Sequence, residues 1–515
     1  MRYWVTPFEM SKFDARAVKA GTPGDVLMER AGTAAAIVAM AMTQPDKGHI
    51  QVWCGPGNNG GDGLVLARQL KKRGYEVCAV LATTPGKSLS HNCQSNLGRF
   101  VQSGGKVLAP QKLNDLPDSP ALVVDSLLGT GFSGKLKDVF AECTDIIRHS
   151  HCKVLAIDTP TGVNGKTGSV DPHTPRADTT VTFAAPKAGL LLPPGCGYTG
   201  NLLVPDIGID IDHNKKQMVL GLSDAFTLLP DRPADAHKGT FGRLLLIGGS
   251  ENMPGAPQLM SLGALRSGAG LVFLSVPLPA NTFISGRIPE VISSYFLPGD
   301  PSGLPKYDEF DAIAIGPGMG NSPATMKIVS YILQNWKVPL VLDADALNVL
   351  NDPVSQLSEY KGSLLLTPHP GELSRMTKCN ASNIGSRSKA AAKLSASSGA
   401  VVLLKGKPSM VFSPDGECCL IPTGNTGLAT GGSGDVLTGI TSSLMAQGLK
   451  PFEAAILGAY VHGLSADIAI EHCSERSLIP SDVISNMGRA FRTIENGSRS
   501  ELLTPGGKWR SEYAH

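Results

Sequence analysis

The chain has 515 residues, 42% of them hydrophobic and 17% charged, which favours two or more globular domains over a disordered chain. The formal net charge of +2 is spread along the sequence and argues against nucleic acid or an acidic membrane surface as a partner. The ten cysteines include no CxxC pair. The N-terminal MRYWVTPFEMSKFD has no apolar signal-peptide core and no run is long enough to span a membrane, so we expect buried thiols in a soluble cytoplasmic protein.

Short apolar segments alternate with helical ones through the first half. Residues 1–50 are predicted to be helical, and helices are also predicted at Leu64–Lys72 and Val139–His149. The predicted strands are Gln51–Cys54, Glu76–Leu81, Ala121–Asp125, Lys153–Asp158 and Thr179–Ala184. This alternation predicts a parallel sheet with helices on both faces, in a first domain spanning residues 1–215.

A charged, proline-punctuated segment at residues 205–238 precedes a second alternation, assigned to a domain at residues 223–495. The predicted strands there are Arg243–Gly248, Leu271–Val276, Asp311–Ile315, Pro339–Asp343, Ser363–Thr367 and Ala400–Lys405. The predicted helices are Gln258–Ser267, Ala324–Trp336, Ser386–Ser397, Asp435–Gln447 and Glu453–Glu471. Residues 496–515 are predicted to be a polar tail, so the chain reads as two separate α/β domains.

The glycine-rich stretch Gly424–Gly439, GNTGLATGGSGDVLTG, opens a predicted apolar helix. Unpaired N–H groups at a helix N-terminus attract phosphate, which makes the carboxylate of Asp435 unexpected there. A general base acting on a hydroxyl beside the phosphate would account for it. The alternative is a turn that only closes a helix onto the sheet, but so many glycines are costly for packing alone.

A second glycine-rich turn, GPGNNGGDG at Gly55–Gly63, follows the first predicted strand. It satisfies the GxGxxG spacing, but the next strand ends without the acidic residue typical of NAD-binding hydride transfer, so that activity is not supported. Asn58, Asn59 and Asp62 are candidate ligands for a cation or a ribose. They are equally compatible with capping the turn and the helix.

Two further strand ends favour a functional site. Asp125 ends ALVVD and Asp158 ends VLAID, just before TPTG with Thr161. The carboxyl ends of parallel strands share one crevice, so we expect Asn59, Asp125, Asp158 and Thr161 to converge. The loop GTGFSGK at Gly129–Lys135 offers a second anion cradle.

The motifs VWCGPGNNGGDGLVLAR, VDSLLGTGFSGK, IDTPTGVNG and TFAAPKAGLL occur in this order. They resemble the epimerase domain of the NAD(P)H-hydrate repair proteins, over residues 1–215. The resemblance implies a Rossmann-like three-layer αβα fold that interconverts the R and S forms of hydrated NADH and NADPH.

The same resemblance implies a potassium ion held by Asn59, Asp125 and Thr161, where the family more often has serine at the position of Thr161. The implied substrate contacts are Asn58, Asn59, Gly60, Gly61, Asp62, Gly129, Thr130, Gly131, Phe132, Ser133, Gly134, Lys135 and Asp158. Asp158 is the candidate acid–base residue, because a strand-end carboxylate can move a proton during epimerisation at a hemiaminal-like carbon. Lys187 is a candidate electrostatic partner.

Polar residues also follow the strands of the second half. Asp343 and Asp345 lie in VLDADALN, His369 and Glu372 in LLLTPHPGE, and Lys405 in VVLLKGKPSM. Singly, the aspartates could cap a helix, the histidine could be a turn residue bonded to backbone, and the lysine could be a solvated loop charge. Their repetition at successive strand ends favours a site.

With GAPQLMSLGALRSGAG, IGPGMG and the Gly424–Gly439 loop, these motifs resemble the ADP- or ATP-dependent NAD(P)H-hydrate dehydratases of the ribokinase-like superfamily, over residues 223–495. The family often has Thr or Met where Ser433 stands. The implied ADP contacts are Lys405, Gly406, Lys407, Pro408, Ser409 and Gly434, and the implied contacts to the hydrated nicotinamide are Ala256, Gly318, His369 and Asp435. Asp435 would be the base, and Mg2+ is expected near the phosphates with Asp343 or Glu372 as candidate outer-shell ligands.

The two resemblances imply one bifunctional metabolite-repair enzyme, an isomerase joined to a lyase. It would epimerise hydrated NADH and NADPH and dehydrate the S form at the expense of ADP, giving AMP and phosphate. The choice of ADP over ATP comes from the resemblance to bacterial-type bifunctional chains, and a homo-oligomer is expected. One alternative is a ribokinase-like small-molecule kinase fused to an unrelated domain, which would leave a stable phosphorylated alcohol. The other is a nucleotide-sensing module without turnover, which would show only ligand-dependent stabilisation.

Overall fold

The computed structural model describes residues 2–83, 88–109, 120–211, 216–284 and 286–501. The chain divides into two compact units, Arg2–Lys215 and Lys216–Leu503. Within the described ranges, no helix is long and apolar enough to cross a membrane. All ten cysteines are free thiols, and Cys54, Cys78, Cys93, Cys143 and Cys419 are buried.

The first unit contains seven helices and eight strands among its described residues. Its helices are α1 (Pro7–Lys19), α2 (Gly24–Met42), α3 (Asn58–Lys71), α4 (His91–Gln102), α5 (Asp138–Arg148), α6 (Ala188–Leu191) and α7 (Cys196–Thr199). Its strands are β1 (Arg2–Tyr3), β2 (Ile50–Cys54), β3 (Val77–Leu81), β4 (Lys106–Leu108), β5 (Leu122–Ser126), β6 (Lys153–Ile157), β7 (Thr179–Val181) and β8 (Asn201–Leu203).

Seven of these strands form one sheet in the order β4-β3-β2-β5-β6-β7-β8, and every neighbouring pair is parallel. Strands β2 and β5 are buried along their whole length, as expected for a parallel sheet covered on both faces. The order reverses at β2 and β5, so their carboxyl ends open a crevice between them.

The second unit carries ten strands of its own. They are β9 (Gln217–Val219), β10 (Arg243–Ile247), β11 (Leu271–Pro277), β12 (Val291–Phe296), β13 (Ala312–Ile315), β14 (Leu340–Leu342), β15 (Leu364–Leu366), β16 (Val401–Leu404), β17 (Ser409–Phe412) and β18 (Cys418–Ile421). Its helices are α8 (Leu222–Thr227), α9 (Gly255–Arg266), α10 (Leu278–Ile284), α11 (Pro323–Asn335), α12 (Asp345–Asn348), α13 (Pro353–Ser358), α14 (Pro370–Thr377), α15 (Ile384–Ser398), α16 (Ser433–Ala446), α17 (Pro451–Ala469) and α18 (Pro480–Glu501).

These strands run in the order β9-β18-β17-β16-β15-β14-β13-β10-β11-β12. The pairs from β16 through β15, β14, β13, β10 and β11 to β12 are all parallel. Strand β17 is antiparallel to both β16 and β18, which the sequence pattern did not reveal. A short turn at residues 405–408 joins β16 directly to β17, too short for a crossover helix, so the chain must reverse.

The predicted α/β architecture is confirmed in both halves. Each predicted strand and helix is present, with ends that differ by a few residues, as is common for element boundaries. The prediction missed strands β1, β4, β8, β9, β12, β17 and β18. It also missed helices α4, α6, α7, α8, α10, α12, α13, α14 and α18. Most of the missed strands are three or four residues long, too short to show a clear periodicity.

The predicted tail at residues 496–515 differs from the structure in its first part. Helix α18 continues to Glu501, and residues 502–515 lie outside the described residues. The helix buries Val483, Met487 and Ile494 on one face, and a Cβ at Gly497 would lie 2.2 Å from Leu222 Cδ2. This packing explains why the helix continues into a segment whose composition is mostly polar. The second domain was predicted to begin at residue 223, but strand β9 at Gln217–Val219 already pairs with β18 of that unit.

Candidate active sites

In the first unit, Asp125 and Thr161 meet at the carboxyl ends of β5 and β6. The Thr161 hydroxyl donates to Asp125 Oδ1 at 2.6 Å and its backbone N–H donates to Oδ2 at 2.8 Å. The same hydroxyl accepts from Leu128 N–H at 3.0 Å. Among the described residues, no Lys or Arg side chain pairs with Asp125, and burial raises the pKa of this carboxyl.

Asp158 lies one residue beyond β6, with its backbone in the left-handed region at φ +65°. Its Oδ1 pairs with Lys187 Nζ at 2.9 Å and accepts from the Thr182 hydroxyl at 3.2 Å. Its Oδ2 accepts from Thr130 N–H at 3.0 Å. The burial of Asp158 raises its pKa, but Lys187 and these donors outweigh that effect and hold the pKa below its ordinary value.

The buried ion pair confirms the predicted partnership of Lys187 with Asp158. Lys187 is only 3% exposed, and its ammonium also donates to the Thr182 hydroxyl and to the Phe183 carbonyl. The backbone around it is fixed by Val5, which accepts from Ala188 N–H and donates to the Pro186 carbonyl. The lysine is therefore held in place from both ends.

Asn59, in the first turn of α3, has its side-chain Oδ1 and Nδ2 buried without a hydrogen-bond partner among the described residues. A Cβ added at Gly129 would lie 3.2 Å from Asn59 Oδ1 and 2.8 Å from Asp158 Oδ2. The two side chains therefore meet at the glycine loop, while Leu128 beside it reaches Thr161. The expected convergence of Asn59, Asp125, Asp158 and Thr161 is present.

A cleft of about 1080 Å³ opens at Asn59 and Asp158, and its walls come entirely from the first unit. Asp125 and Thr161 are fully buried and do not line it. Asn58, Asn59, Asp62, Asp158 and most of the Gly129–Lys135 loop line it, whereas Gly60, Gly61 and Gly134 do not. Gly60 instead permits a close approach, since a Cβ there would lie 1.9 Å from the Gly55 carbonyl oxygen. This glycine thus serves the turn itself.

Two further carboxyl groups face the cleft. Burial, followed by the negative charge of Asp158, raises the pKa of Asp62 well above its ordinary value. Asp14 on α1 also lines the cleft, and burial raises its pKa although much of its side chain is exposed. Sequence analysis missed Asp14 because it lies on a helix far upstream of the motifs.

In the second unit, the central feature is an ion pair between Lys405 and Asp343. Lys405 Nζ lies 2.7 Å from Asp343 Oδ1, and the Thr438 hydroxyl donates to Asp343 Oδ2 at 2.7 Å. A Cβ at Gly434 would lie 3.2 Å from Lys405 Nζ, so the glycine leaves room for the ammonium. Lys405 is therefore not a solvated loop charge, and Asp343 does not serve as a helix cap.

Asp435 lies in the first turn of α16, beside this pair. Burial and the nearby carboxylates, Asp343 first among them, raise its pKa to about 7, although Lys405 opposes the shift. The side chain is partly buried. A carboxyl group with a pKa near neutrality can exchange a proton at physiological pH.

His369 caps the N-terminus of α14. Its Nδ1 accepts from Gly371 N–H at 3.0 Å, which leaves the proton on Nε2, 3.2 Å from Glu372 Oε1. The side chain is 47% exposed and Glu372 is 5% exposed. His369 is therefore a turn residue bonded to backbone, as the alternative interpretation proposed. Its exposed ring edge is still open to a ligand.

The predicted nicotinamide contacts Ala256 and Gly318 lie against each other, since a Cβ at Gly318 would lie 2.9 Å from the Ala256 Cβ. Their loop is tied to the carboxylates by Gly320 N–H, which donates to Asp345 Oδ2 at 2.7 Å. Asp345 in turn is close enough to Asp435 to raise its pKa. Asp345 therefore links the loop at Gly318 and Gly320 to the group of carboxylates around Asp435.

The predicted nucleotide segment, residues 405–409, forms the turn between β16 and β17. Gly406 and Lys407 are exposed, and the Ser409 hydroxyl donates to the Gly406 carbonyl at 3.0 Å. Gly434 lies beside the ammonium of Lys405, the first residue of this segment. The structure thus brings the six predicted nucleotide contacts together around one lysine.

Several polar residues of the second unit were missed by sequence analysis, among them Thr438, Asn425 and Asp467. Thr438 lies three residues after Asp435 on the same helix, a spacing that places both side chains on one face. That spacing was a usable signal for Thr438. Asp467, within the apolar helix α17, gave no comparable signal because its partners are distant in sequence.

These features define a two-domain α/β enzyme, with a Rossmann-like unit that carries a polar cleft and a ribokinase-like unit that presents a carboxylate and a lysine at a glycine-rich helix N-terminus. Family models match both halves: the YjeF-related protein N-terminus at residues 24–189 and the NAD(P)H-hydrate dehydratase at residues 244–488.

The chain is 38% identical to the bifunctional NAD(P)H-hydrate repair enzyme Nnr of Moorella thermoacetica, covering 96% of this chain and 97% of that protein. It is 34% identical to the Escherichia coli enzyme of the same name, over 93% and 92% of the two chains. The chain belongs to the family of bifunctional NAD(P)H-hydrate repair enzymes.

Among solved structures, the ADP/ATP-dependent NAD(P)H-hydrate dehydratase of Bacillus subtilis, co-crystallised with ATP and Mg2+, matches with a TM-score of 0.50. The identity is 32%, and the match covers 55% of this chain and all of that one. The likeness places the ribokinase-like fold in the second unit.

Proposed function

We propose that the first unit epimerises the R and S forms of hydrated NADH and NADPH, and that the second dehydrates the S form at the expense of ADP, giving AMP and phosphate. Family membership supports both activities, since each unit matches its own family model. The observation that carries the dehydratase assignment is Asp435, whose pKa of about 7 places a proton acceptor beside Lys405 at the start of α16.

Hydroxide is a poor leaving group, and the nucleotide overcomes this difficulty. Asp435 takes the proton from the hydroxyl of the hydrate while that oxygen attacks the terminal phosphoryl group of ADP. The bond from AMP to this phosphorus breaks, so AMP leaves and the hydrate becomes a phosphate ester. The carbon–oxygen bond of the ester then breaks with its electron pair on the phosphate, and loss of a proton from the neighbouring ring carbon forms the double bond that restores the dihydronicotinamide. The N-terminus of α16 and Lys405 stabilise negative charge on the phosphoryl group during its transfer.

We place ADP over Lys405, Gly406, Lys407, Pro408, Ser409 and Gly434. The hydrated nicotinamide would lie against Ala256 and Gly318, whose small size lets a flat ring approach the backbone. His369, whose Nε2–H lies beside Glu372, would supply a further contact to the hydrated nicotinamide.

Mg2+ would neutralise phosphate charge in this site. Asp343 and Glu372 do not fit as direct ligands, because Lys405 Nζ lies 2.7 Å from the first and 3.8 Å from the second. Both carboxylates can still accept hydrogen bonds from water molecules around the ion. This supports Asp343 and Glu372 as outer-shell ligands, so the direct ligands of Mg2+ would be phosphate oxygens of the nucleotide.

For epimerisation we propose Asp158 as the acid–base residue and the cleft at Gly129–Lys135 as the substrate site. The ion pair with Lys187 keeps Asp158 ionised at neutral pH, so it can accept the hydroxyl proton of the hydrate. The carbon–nitrogen bond opens to give an aldehyde, with the electron pair on the ring nitrogen. Reclosure on the other face and return of the proton from Asp158 to the new hydroxyl exchange R and S. Lys187 holds the carboxylate in one orientation throughout.

The residues present also fit K+ at Asn59, Asp125 and Thr161. The Asn59 amide oxygen is buried without a partner, and Asp125 is a buried carboxylate without a cation among the described residues. A monovalent cation takes amide, hydroxyl and carboxylate oxygens, and bound there it would supply the missing positive charge. The described ranges contain no group of three His, Cys, Asp or Glu side chains that could hold a metal ion.

Exchange of K+ for Li+ or Cs+ tests this site. We expect slower epimerisation with either ion, because each differs in size from K+, and an unchanged dehydration rate for pure S hydrate. Equal epimerisation rates in all three salts would rule out a cation at Asn59.

The expected homo-oligomer and cytoplasmic location stay predictions.

The activity itself is tested with a mixture of R and S NADH hydrates, followed by chromatography of both epimers with no nucleotide, with ADP and with ATP. We expect interconversion in every arm, and NADH and phosphate only with nucleotide. Asp435→Asn should lose dehydration and keep interconversion. A stable phosphorylated product would instead favour a small-molecule kinase, and stabilisation by ADP without turnover would favour a sensing module.

A further inference from the structure

The buried helix α17 contacts both ends of the glycine loop that precedes α16. At the start of the loop, the Thr423 hydroxyl donates to the Tyr460 carbonyl at 3.0 Å. At its end, the Ser433 hydroxyl lies 3.3 Å from His462 Nε2. Burial lowers the pKa of His462 to about 4, so the ring is neutral and adds no charge.

Asp467 makes the strongest of these contacts. Its Oδ2 accepts from Gly424 N–H at 2.8 Å, and its Oδ1 accepts from Asn425 Nδ2 at 3.0 Å. The orientation of the Asn425 amide is settled independently, because its Oδ1 accepts from Gly427 N–H at 3.1 Å. Asp467 is 9% exposed and Asn425 is 6% exposed, so water competes weakly for these hydrogen bonds.

The backbone at Gly424 needs this support. Its φ of +105° is open to glycine but to few other residues, and glycine also has many alternative conformations when it is not held. Because the buried carboxylate of Asp467 accepts from the Gly424 N–H and the Asn425 side-chain amide, it selects one of these conformations. The loop then enters α16 at a fixed place, two residues before Asp435.

We propose that Asp467 is a positioning residue for dehydration: through Gly424 and Asn425 it holds the glycine loop so that the N-terminus of α16 and Asp435 face the substrate. The role rests on the proposed dehydratase function. Displacement of a catalytic group by about 1 Å can slow a reaction by about a hundredfold, so a side chain remote from the chemistry can control its rate.

Asp467→Asn is the first test. Its amide oxygen can still accept from Gly424 N–H, but its NH2 group would face the NH2 group of Asn425. Asn425 cannot rotate without losing Gly427. We expect kcat for dehydration of the S hydrate to fall about tenfold or more, with a smaller change in the KM for ADP, because Asp467 orients the loop.

The double variant Asp467→Asn, Asn425→Asp restores complementary groups. The new carboxylate would accept from Gly427 N–H and from the new amide, whose oxygen would accept from Gly424 N–H. We expect most of the lost kcat to return. An unchanged kcat in the single variant, or no recovery in the double variant, would overturn the proposal.

Hydrogen exchange of the segment containing Gly424 separates this role from general stability. We expect faster exchange there in Asp467→Asn and wild-type protection in the double variant, while epimerisation in the same chain stays unchanged. If the single variant does not fold, Thr423→Val, which removes the partly buried bond to Tyr460, should show the same loss of kcat. A wild-type protein that protects this segment but never dehydrates would refute the function and leave the loop contact intact.

Discussion

At the scale of single residues, the two candidate proton-transfer groups have opposite environments. Asp158 receives a lysine and two further donors, and its pKa is lowered. Asp435 forms no ion pair within the part of the chain that the structure describes, because Lys405 is held mainly by Asp343, and its pKa rises to about 7. The first carboxylate is therefore a permanent anion near neutral pH, while the second changes its charge there.

This difference predicts the pH dependence of dehydration. A base must be deprotonated to act, so kcat/KM for dehydration should rise with pH along a limb centred near 7, where Asp435 loses its proton in the free enzyme. Initial rates at hydrate and ADP concentrations well below their KM values, measured across the pH range, give this profile. A rate independent of pH between about 5 and 9 would exclude Asp435 as the base.

Asp345→Asn supplies the matched control. The carboxylate of Asp345 helps to raise the pKa of Asp435, and an asparagine oxygen can still accept from Gly320 N–H. Removal of the negative charge should move the limb of the profile to lower pH. A shift to higher pH would contradict this electrostatic account.

Lys187→Met predicts the behaviour of the other site. Without the ammonium, Asp158 is a buried carboxylate that lacks a cation, so its pKa should rise and it should be partly protonated. We expect epimerisation to fall, and to fall most at low pH, because a protonated Asp158 cannot accept the hydroxyl proton of the hydrate. Lys166→Met, at an exposed position, is the control, and equal epimerisation rates in the two variants would contradict the prediction.

At the scale of elements, helices α9 and α16 cross at two glycines. A Cβ at Gly439 would lie 2.0 Å from the Met260 carbonyl oxygen, and one at Gly263 would lie 2.6 Å from the Val436 carbonyl oxygen. The backbones therefore touch without intervening side chains. This contact fixes α16, and with it Asp435, against the helix that carries Ala256.

Gly439→Ala should therefore destabilise the second unit. The added methyl group has no space, and such overpacking costs about 1–3 kcal/mol. The matched control is Gly488→Ala in α18, where a Cβ would meet nothing within 4 Å, so the change should stabilise by about 0.5–1 kcal/mol. Denaturant unfolding measures both. Equal stability of the two variants would show that the helices separate easily.

The positions of both sites follow from strand ends that the sequence reveals. Asp125, Asp158, Asp343 and Lys405 each stand at the end of a buried apolar run, which places each side chain at the carboxyl edge of its own sheet. In the second unit, for example, the structure pairs Lys405 with Asp343 at this edge. The glycines of the loop were harder to interpret. Gly424 and Gly432 adopt positive φ, and Gly427 packs under Glu475, so these residues shape the loop as well as exposing its N–H groups.

What the sequence could not predict depends on pairing between distant segments. The antiparallel strand β17 follows from a turn too short for a helix, and no local pattern distinguishes it from another parallel strand. Asp467 lies more than forty residues from its partners, 43 from Gly424. Such a side chain looks like a stray charge in an apolar helix until the fold places the loop beside it.

At the scale of the whole molecule, each unit supplies all the residues of its own candidate site. The cleft around Asp158 is lined only by residues of Arg2–Lys215, and the groups around Asp435 all belong to Lys216–Leu503. Each reaction should therefore proceed when the other site is inactive. The product of the epimerase, the S hydrate, is the substrate proposed for the dehydratase.

Two inactivated chains should consequently complement each other in solution. Asp158→Asn should retain dehydration and Asp435→Asn should retain epimerisation, so a mixture of the two with ADP should convert pure R hydrate to NADH. Each variant alone should do so only at the rate of uncatalysed epimerisation. Absorbance of NADH follows the reaction, and pure S hydrate checks that Asp158→Asn is folded and active. If both variants keep their single activities and the mixture still leaves the R hydrate unconverted, the independence of the two reactions is contradicted.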